Sequence, residues 1–288
     1  MININKKMEK ISHLEYKTLL TAIIAYSILI IGASIMIIPF LWMVLTSFKT
    51  FPETVKIPIV WVPKNPTFEN FIYVFKNMDI GRSYLNTIFV TIAITIGQVF
   101  FNSLAAYSFA RLNFPGKKVI FFLILSILML PFQMIIIPRY IIINNFGWIE
   151  NFAAIIIPGI ASAWGTFFMR QFFMTLPKEI DEAAKLDGCG YFKIFWKILL
   201  PLCKNALSAF IIFTVLWSWN DLLWPMLVTS SNKMRVLSVV LATLRGQYTT
   251  KNNIMMSAGV ITTIPMLIMF IIFQKHMIEG ITLTGIKA

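Results

Sequence analysis

The stretch Leu176-Pro-Lys-Glu-Ile-Asp-Glu-Ala-Ala-Lys-Leu-Asp-Gly-Cys-Gly-Tyr-Phe-Lys-Ile-Phe-Trp-Lys-Ile-Leu-Leu-Pro-Leu-Cys-Lys-Asn205 separates two long apolar blocks. It is too polar to cross a bilayer, yet it is patterned. Its first part, Lys178 to Asp187, is rich in helix formers with acidic residues in the opening turns, and Pro177 sits where a first-turn proline is tolerated. Ile180, Ala183 and Ala184 share a small, weakly apolar face, which permits close approach to another surface. Gly188 is free to take positive φ and ends that helix. A second helical pattern follows Gly190. Phe192, Phe195, Ile198 or Leu199, and Leu202 form an apolar stripe, with Lys193 and Lys197 on another face. Pro201 then closes or kinks it. Such a helix–turn–helix either rests in a lipid interface or docks on a partner. Glu182 among small alanines is poorly placed against an anionic leaflet and favours the partner.

Outward from this loop, the rest of the chain reads as membrane. Of its 288 residues 58% are hydrophobic and 13% charged, and mean hydropathy is +0.78. So little charge cannot clothe a soluble domain of this length. Six apolar blocks stand out, at 19–43, 86–109, 119–137, 152–173, 206–228 and 256–273. Each is about 20 residues long, enough for a helix to cross ~30 Å of hydrocarbon. No two-residue alternation suggests a β-barrel. The net charge of +13 falls between the blocks, not along one face, and therefore reads as topology and not as nucleic-acid binding. With both termini inside, 15 of the 25 basic residues are cytoplasmic. The first block is too long for a signal-peptide core and should remain as a span. Cys189 and Cys203 both fall in the 176–205 loop, where a disulfide framework is not expected.

The expected organisation is a cytoplasmic tail at 1–18 followed by one six-helix membrane domain over 19–288, with an outer loop at 46–83, the cytoplasmic loop at 176–205 and a C-terminal tail at 279–288. The outer loop holds Pro52, Pro58, Pro63 and Pro66, which leave room only for a short amphipathic helix near Phe68–Phe75; it is either a membrane-surface segment or a dock for an outside partner. Pro115-Gly116 makes a tight turn flanked by Arg111, Lys117 and Lys118. One acidic residue, Asp221, falls inside an expected span, beside Asn220 and among Trp217, Trp219 and Trp224. A carboxylate there is costly unless it faces water or a partner. Either Trp219, Asn220, Asp221 and Trp224 line a solute path, with indoles to stack on sugar rings, or they pack helices near the interface. Gln98, Asn102, Gln133 and Gln171 read as interhelical hydrogen-bonding groups. Pro131 and Pro158 are candidate bends.

Catalysis finds no support. His13 and His276 pair with no nucleophile, HExxH and GxxxxGK[ST] are absent, and two cysteines without nearby histidines make a poor metal site. A stand-alone secondary transporter would need several intramembrane carboxylates or visible inverted repeats.

Glu182-Ala183-Ala184, Gly188, Ile198 and Leu200-Pro201 resemble, at full spacing, the EAA loop of ABC importer permeases. Pro39-Phe-Leu-Trp-Met43, Thr46-Ser-Phe-Lys49, Asn102-Ser-Leu-Ala-Ala-Tyr107, Phe109-Ala-Arg111 and Trp217 to Pro225 are similar to the carbohydrate-uptake branch. Gly280-Ile-Thr-Leu-Thr-Gly-Ile-Lys287 is similar to the tail of that branch's maltose-permease G-type subunit. Asn205 stands where close relatives carry a proline, and Leu283 and Ile286 depart from the usual small residues. The resemblance implies an all-α integral membrane protein with six transmembrane helices in the type I ABC importer permease fold, both termini cytoplasmic. It implies an ATP-driven, binding-protein-dependent importer subunit for a sugar or oligosaccharide, or alternatively for a polyol or glycerol phosphate. The implied coupling residues are Glu182, Ala183, Ala184, Asp187, Gly188, Ile198, Leu200 and Pro201, with a tail contact through Gly285 and Lys287. The implied partners are a pair of ABC ATPase subunits, a second permease, an extracytoplasmic solute-binding protein and membrane lipid, with no nucleic acid. No cofactor is implied on this chain; ATP and magnesium belong to the ATPase.

Overall fold

The structure, a computed structural model, describes residues 2–247 and 251–285, with side chains placed over 20–244 and 251–274. Among the described residues every regular element is helical. The segments Leu20–Ser47, Ile80–Arg111, Phe152–Thr175 and Asn252–Gln274 are each long and apolar enough to cross a membrane. Two further pairs qualify only when each bent pair is taken as one span: Lys117–Met129 with Phe132–Asn145, bent by 106°, and Tyr191–Leu202 with Lys204–Asn220, bent by 84°. Six spans are thus counted when each bent pair is taken as one, and two of the expected blocks contain a break.

The first is 119–137. Helix α5 (Lys117–Ser126) runs into a 3-10 turn at Ile127–Met129 and stops, and α6 (Phe132–Asn145) restarts after Pro131. Proline disfavours helical geometry in the residue before it, and Leu130 is extended at φ −87° and ψ 122°. Arg139, beyond the expected 119–137 block, consequently lies inside α6. The second is 206–228. Helix α12 (Lys204–Asn220) ends at Asp221, which is extended at ψ 120°, and α13 (Leu223–Val228) follows. Pro225 supplies the reason, because a proline ring clashes with the carbonyl of residue i−4, here Asp221, in a continuous helix. Asp221 therefore sits at a helix break and not within a helix.

The chain divides into two units. One comprises Met1–Ile72 with Thr250–Val260. It contains α1 (Ile2–Ser47), the short α2 (Phe51–Thr54) and the start of α15 (Asn252–Gly285). Where α1 ends, polar groups are gathered tightly: the Asn70 amide donates to the carbonyls of Ser47 (2.8 Å) and Lys49 (2.9 Å), and the Asn253 amide donates to Asn70 Oδ1 (2.7 Å). Lys49 is 1% exposed, its ammonium 3.8 Å from the centre of the Trp42 ring.

The other unit comprises Tyr73–Thr249 with Ile261–Ala288. Its axis is α4 (Ile80–Arg111), which packs on α8 (Ala163–Thr175), α12 and α7 (Phe152–Gly159). The buried face of α4 is polar for much of its length: Thr87, Thr91, Thr95, Gln98 and Asn102 recur at helical spacing. Gln98 Nε2 donates to the Gly159 carbonyl (2.8 Å), and Thr214 donates to Gln98 Oε1 (3.3 Å). Asn102 Oδ1 accepts from the Ser162 amide (3.0 Å) and the Thr166 hydroxyl (3.4 Å). Such bonds replace the hydrophobic force that lipid cannot supply between helices. Gln133 and Gln171, expected to act likewise, are instead exposed. Small residues bring the backbones together: a Cβ on Gly165 would lie 2.6 Å from the Phe210 ring.

A candidate coupling surface and a candidate solute path

The 176–205 loop forms a short helix, a turn and a second helix, as its pattern requires. Helix α9 (Glu179–Leu186) ends at Asp187, and Gly188 follows at φ +76°. The Cys189 amide donates to the Ala184 carbonyl (2.9 Å) and the Gly188 amide to the Lys185 carbonyl (3.0 Å), the paired bonds of a glycine-terminated helix. After the turn, α10 (Tyr191–Ile194) continues into a π-helical turn at Phe195–Leu199 and then α11 (Leu200–Leu202). Pro201 has no amide hydrogen to close the ordinary i−4 bond, and a five-residue turn is one accommodation of that loss.

The loop has an inner and an outer side. Ala184, Ile194, Phe195, Leu199, Leu200 and Cys203 are buried in a core with Tyr107, Phe173 and Phe210, and Ile180 and Ile198 pack against its edge. The face shared by Ile180, Ala183 and Ala184 is therefore divided: Ile180 and Ala184 turn inward and Ala183 faces out. Glu182, Ala183, Asp187, Gly188 and Pro201 are exposed, as is Leu186 at 90%. An apolar side chain so fully presented beside Glu182 and Asp187 is suited to contact a partner. Gly285 is the last residue of α15, whereas Lys287 lies outside the described residues.

Two residues that the sequence reading did not assign to this site hold the loop in place. Arg111, the last residue of α4, donates from Nη2 to the Leu176 carbonyl (2.8 Å), and its Nε lies 3.3 Å from Asp181 Oδ2. Both side chains are almost wholly buried. A signal was present, since Arg111 ends the Phe109-Ala-Arg111 motif and Asp181 precedes Glu182, but neither showed its partner.

The four residues expected along a solute path are separated by the fold. Trp224 is 1% exposed and donates from its indole to the Ala154 carbonyl (2.8 Å), so it packs α13 on α7. Asp221, at the break, accepts at its backbone carbonyl from the Ser238 hydroxyl (2.6 Å). Trp219 and Asn220 line a cavity of about 530 Å³ with Leu216, Ser238, Thr262 and Met266. A second cavity, of about 370 Å³, is lined by Gln98, Arg139, Ser162, Trp164, Thr214 and Trp217 among others. Its polar groups come from α4, α6, α8 and α12. The Arg139 guanidinium stacks over Trp224 at 4.2 Å, and its buried Nε has no hydrogen-bond partner. Combining aromatic walls with convergent polar groups is the usual chemistry of a small-solute site.

The family described as binding-protein-dependent transport system inner membrane component matches residues 102–282. The arabinooligosaccharides transport system permease protein of Halalkalibacterium halodurans is 36% identical over 258 residues, covering 88% of this chain and 92% of that one. The sn-glycerol-3-phosphate transport system permease protein of Yersinia pestis is 31% identical over 270 residues, covering 90% and 95%. Among solved structures, a bacterial ABC transporter involved in the import of the acidic polysaccharide alginate superposes with a TM-score of 0.79 at 23% identity, over 89% of this chain and 96% of that one. At that identity the likeness speaks for the fold.

Proposed function

The chain belongs to the family of inner membrane components of binding-protein-dependent transport systems, and from that premise we propose that it is the permease subunit of an ATP-driven importer of a sugar oligomer. The observation that carries the mechanism is the two-sided 176–205 loop, rigidly seated by Arg111 and presenting Glu182, Ala183, Leu186 and Asp187 outward. In this reading both termini and the loop are cytoplasmic. A pair of ATPase subunits binds ATP and magnesium and closes, and the coupling loop of each permease follows as a lever. The membrane helices of this chain and a second permease then rock between inward-open and outward-open states. A solute-binding protein delivers cargo at the outer mouth. Glu182 makes a charge-assisted bond to a basic residue of the ATPase, and the tail at Gly285 and Lys287 adds a contact.

The arabinooligosaccharide relatives favour a neutral sugar, for which Trp164 and Trp217 offer stacking faces. Arg139 favours a second cargo, a glycerol phosphate or another anion, because it places a cationic side chain in the lining of the cavity.

Reconstitution of the complete transporter in liposomes tests the proposal. Uptake should require ATP inside and loaded binding protein outside. Glu182→Lys should leave assembly intact while ATP consumption no longer responds to cargo. Uptake by this chain alone down an ion gradient would overturn the reading. Competition between an arabinooligosaccharide and glycerol 3-phosphate decides the cargo.

A further inference from the structure

A pocket of about 590 Å³ opens beside the Arg111 end of α4, within the second unit. Five residues in its lining are cationic: Arg111, Lys117, Lys118, Arg170 and Lys178. None in the lining is acidic. Asp181 answers Arg111 from outside the lining. Two others are fixed by neutral acceptors: Lys117 Nζ donates to the Leu112 carbonyl (2.7 Å), and Arg170 Nε donates to the Phe109 carbonyl (3.2 Å). The Arg170 guanidinium also sits 4.2 Å from the centre of the Phe121 ring. These contacts position positive charge without neutralising it. Lys117 and Lys118 begin α5, and its N-cap is Gly116, so the first-turn amides have no side-chain cap.

The remaining wall is apolar. Phe121, Phe122, Leu125 and Met174 line it, and Phe122 is 69% exposed. A cationic rim beside an exposed aromatic wall, at the junction of a membrane helix with its connecting loop, matches an amphiphile carrying a negative head. A free phosphate would satisfy the rim and leave the wall bare.

We propose that this pocket binds an anionic phospholipid. Its phosphate lies among Lys117, Lys118 and Lys178, and an acyl chain runs along Phe121, Phe122 and Leu125. Lys178 is the residue immediately before α9, so the bound headgroup ties α5 to the start of the coupling loop. The inference rests on the proposed orientation only in naming the cytoplasmic leaflet as the source of the lipid.

The test uses the complete transporter purified in neutral detergent, with bound lipid counted by native mass spectrometry. Phosphatidylglycerol should be retained in preference to phosphatidylcholine, and excess inorganic phosphate should not displace it. Lys117→Gln/Lys118→Gln/Lys178→Gln should reduce retention by more than tenfold, since each lysine near an anionic surface contributes about fivefold. Lys118→Gln alone, at an exposed position, provides a readout should the triple variant misfold, and a fall of about fivefold is expected. Equal retention of both lipids, displacement by phosphate, or unchanged retention in these variants would overturn the proposal. Lipid counting is independent of uptake, so failure here and failure of the transport reading are separable.

Discussion

Arg111 Nε lies 3.3 Å from Asp181 Oδ2, joining the last residue of α4 to the first turn of α9 with side-chain exposures of 5% and 10%. Removing one partner of a buried pair leaves the other charge unanswered and costs about 3–5 kcal/mol. Arg111 carries a further burden, because its Nη2 also satisfies the Leu176 carbonyl. Arg111→Ala should therefore destabilise more than Asp181→Asn, and the double variant should cost less than the two single losses added together. Thermal unfolding of the detergent-purified complex measures all three. Transport coupling should fall along with stability, unlike in Glu182→Lys, where stability should hold.

Gly188 adopts φ +76°, whereas Gly190 adopts φ −72°. Alanine at the first must accept left-handed geometry and should cost about 1 kcal/mol. Alanine at the second should be close to neutral. Paired melting curves for the two variants, together with the ATPase response to cargo, separate backbone strain from loss of a glycine as such.

A Cβ at Gly165 would meet the Phe210 ring at 2.6 Å and the Asn102 amide at 2.9 Å. Overpacking of this kind costs about 1–3 kcal/mol. Gly165→Ala should lower the unfolding temperature, and Phe210→Leu in the same chain should restore part of it by returning volume at the point of contact. Absence of any recovery would place the strain on Asn102 and its bonds to Ser162 and Thr166.

Glu150 closes a polar clasp outside the spans. It accepts from the amides of Ser230 and Ser231 and from the Ser231 hydroxyl (2.7 Å), while its own amide donates to the Val228 carbonyl (3.1 Å). Burial opposes its charge, but the bonds from Ser231 and Ser230 prevail and hold the carboxyl below its ordinary value of 4.5. For a depressed acid the stabilisation is complete above the unfolded value and disappears as pH falls through the lower folded one. Unfolding temperature should therefore decline below about pH 4.5 more steeply in the native chain than in Glu150→Gln. Parallel pH profiles of the two would contradict the assignment.

Much of this arrangement was legible in the sequence, and the limits are instructive. The loop's helix, turn and second helix follow from Gly188, Pro201 and the spacing of Phe195 and Leu199, because local propensity and tertiary contact agree there. Hydropathy located the blocks at 119–137 and 206–228 but not the breaks within them. An apolar window does not register that Pro131 forces Leu130 out of the helix, or that Pro225 denies Asp221 its helical carbonyl position. The fate of individual side chains was hidden for another reason. Trp219 and Trp224 stand five positions apart and look equivalent in sequence, yet the helix break between them sends one to a cavity wall and the other into a packed core. Arg139 lies past the 119–137 block because a hydropathy window does not show how far α6 continues beyond the break at Pro131. The Arg111–Asp181 contact spans 70 residues of chain, beyond any local pattern.

The π-helical turn at Phe195–Leu199 also behaves as a phase setting. Relative to an uninterrupted α-helix it holds one surplus residue, and one residue corresponds to about 100° of rotation about the helix axis. Deleting a single residue there would swing everything before it around the axis while leaving α12 untouched. Phe195 and Ile194 would leave the core, and the outward set led by Glu182 would point elsewhere. The direction in which that outward set faces is thus stored in the length of one turn.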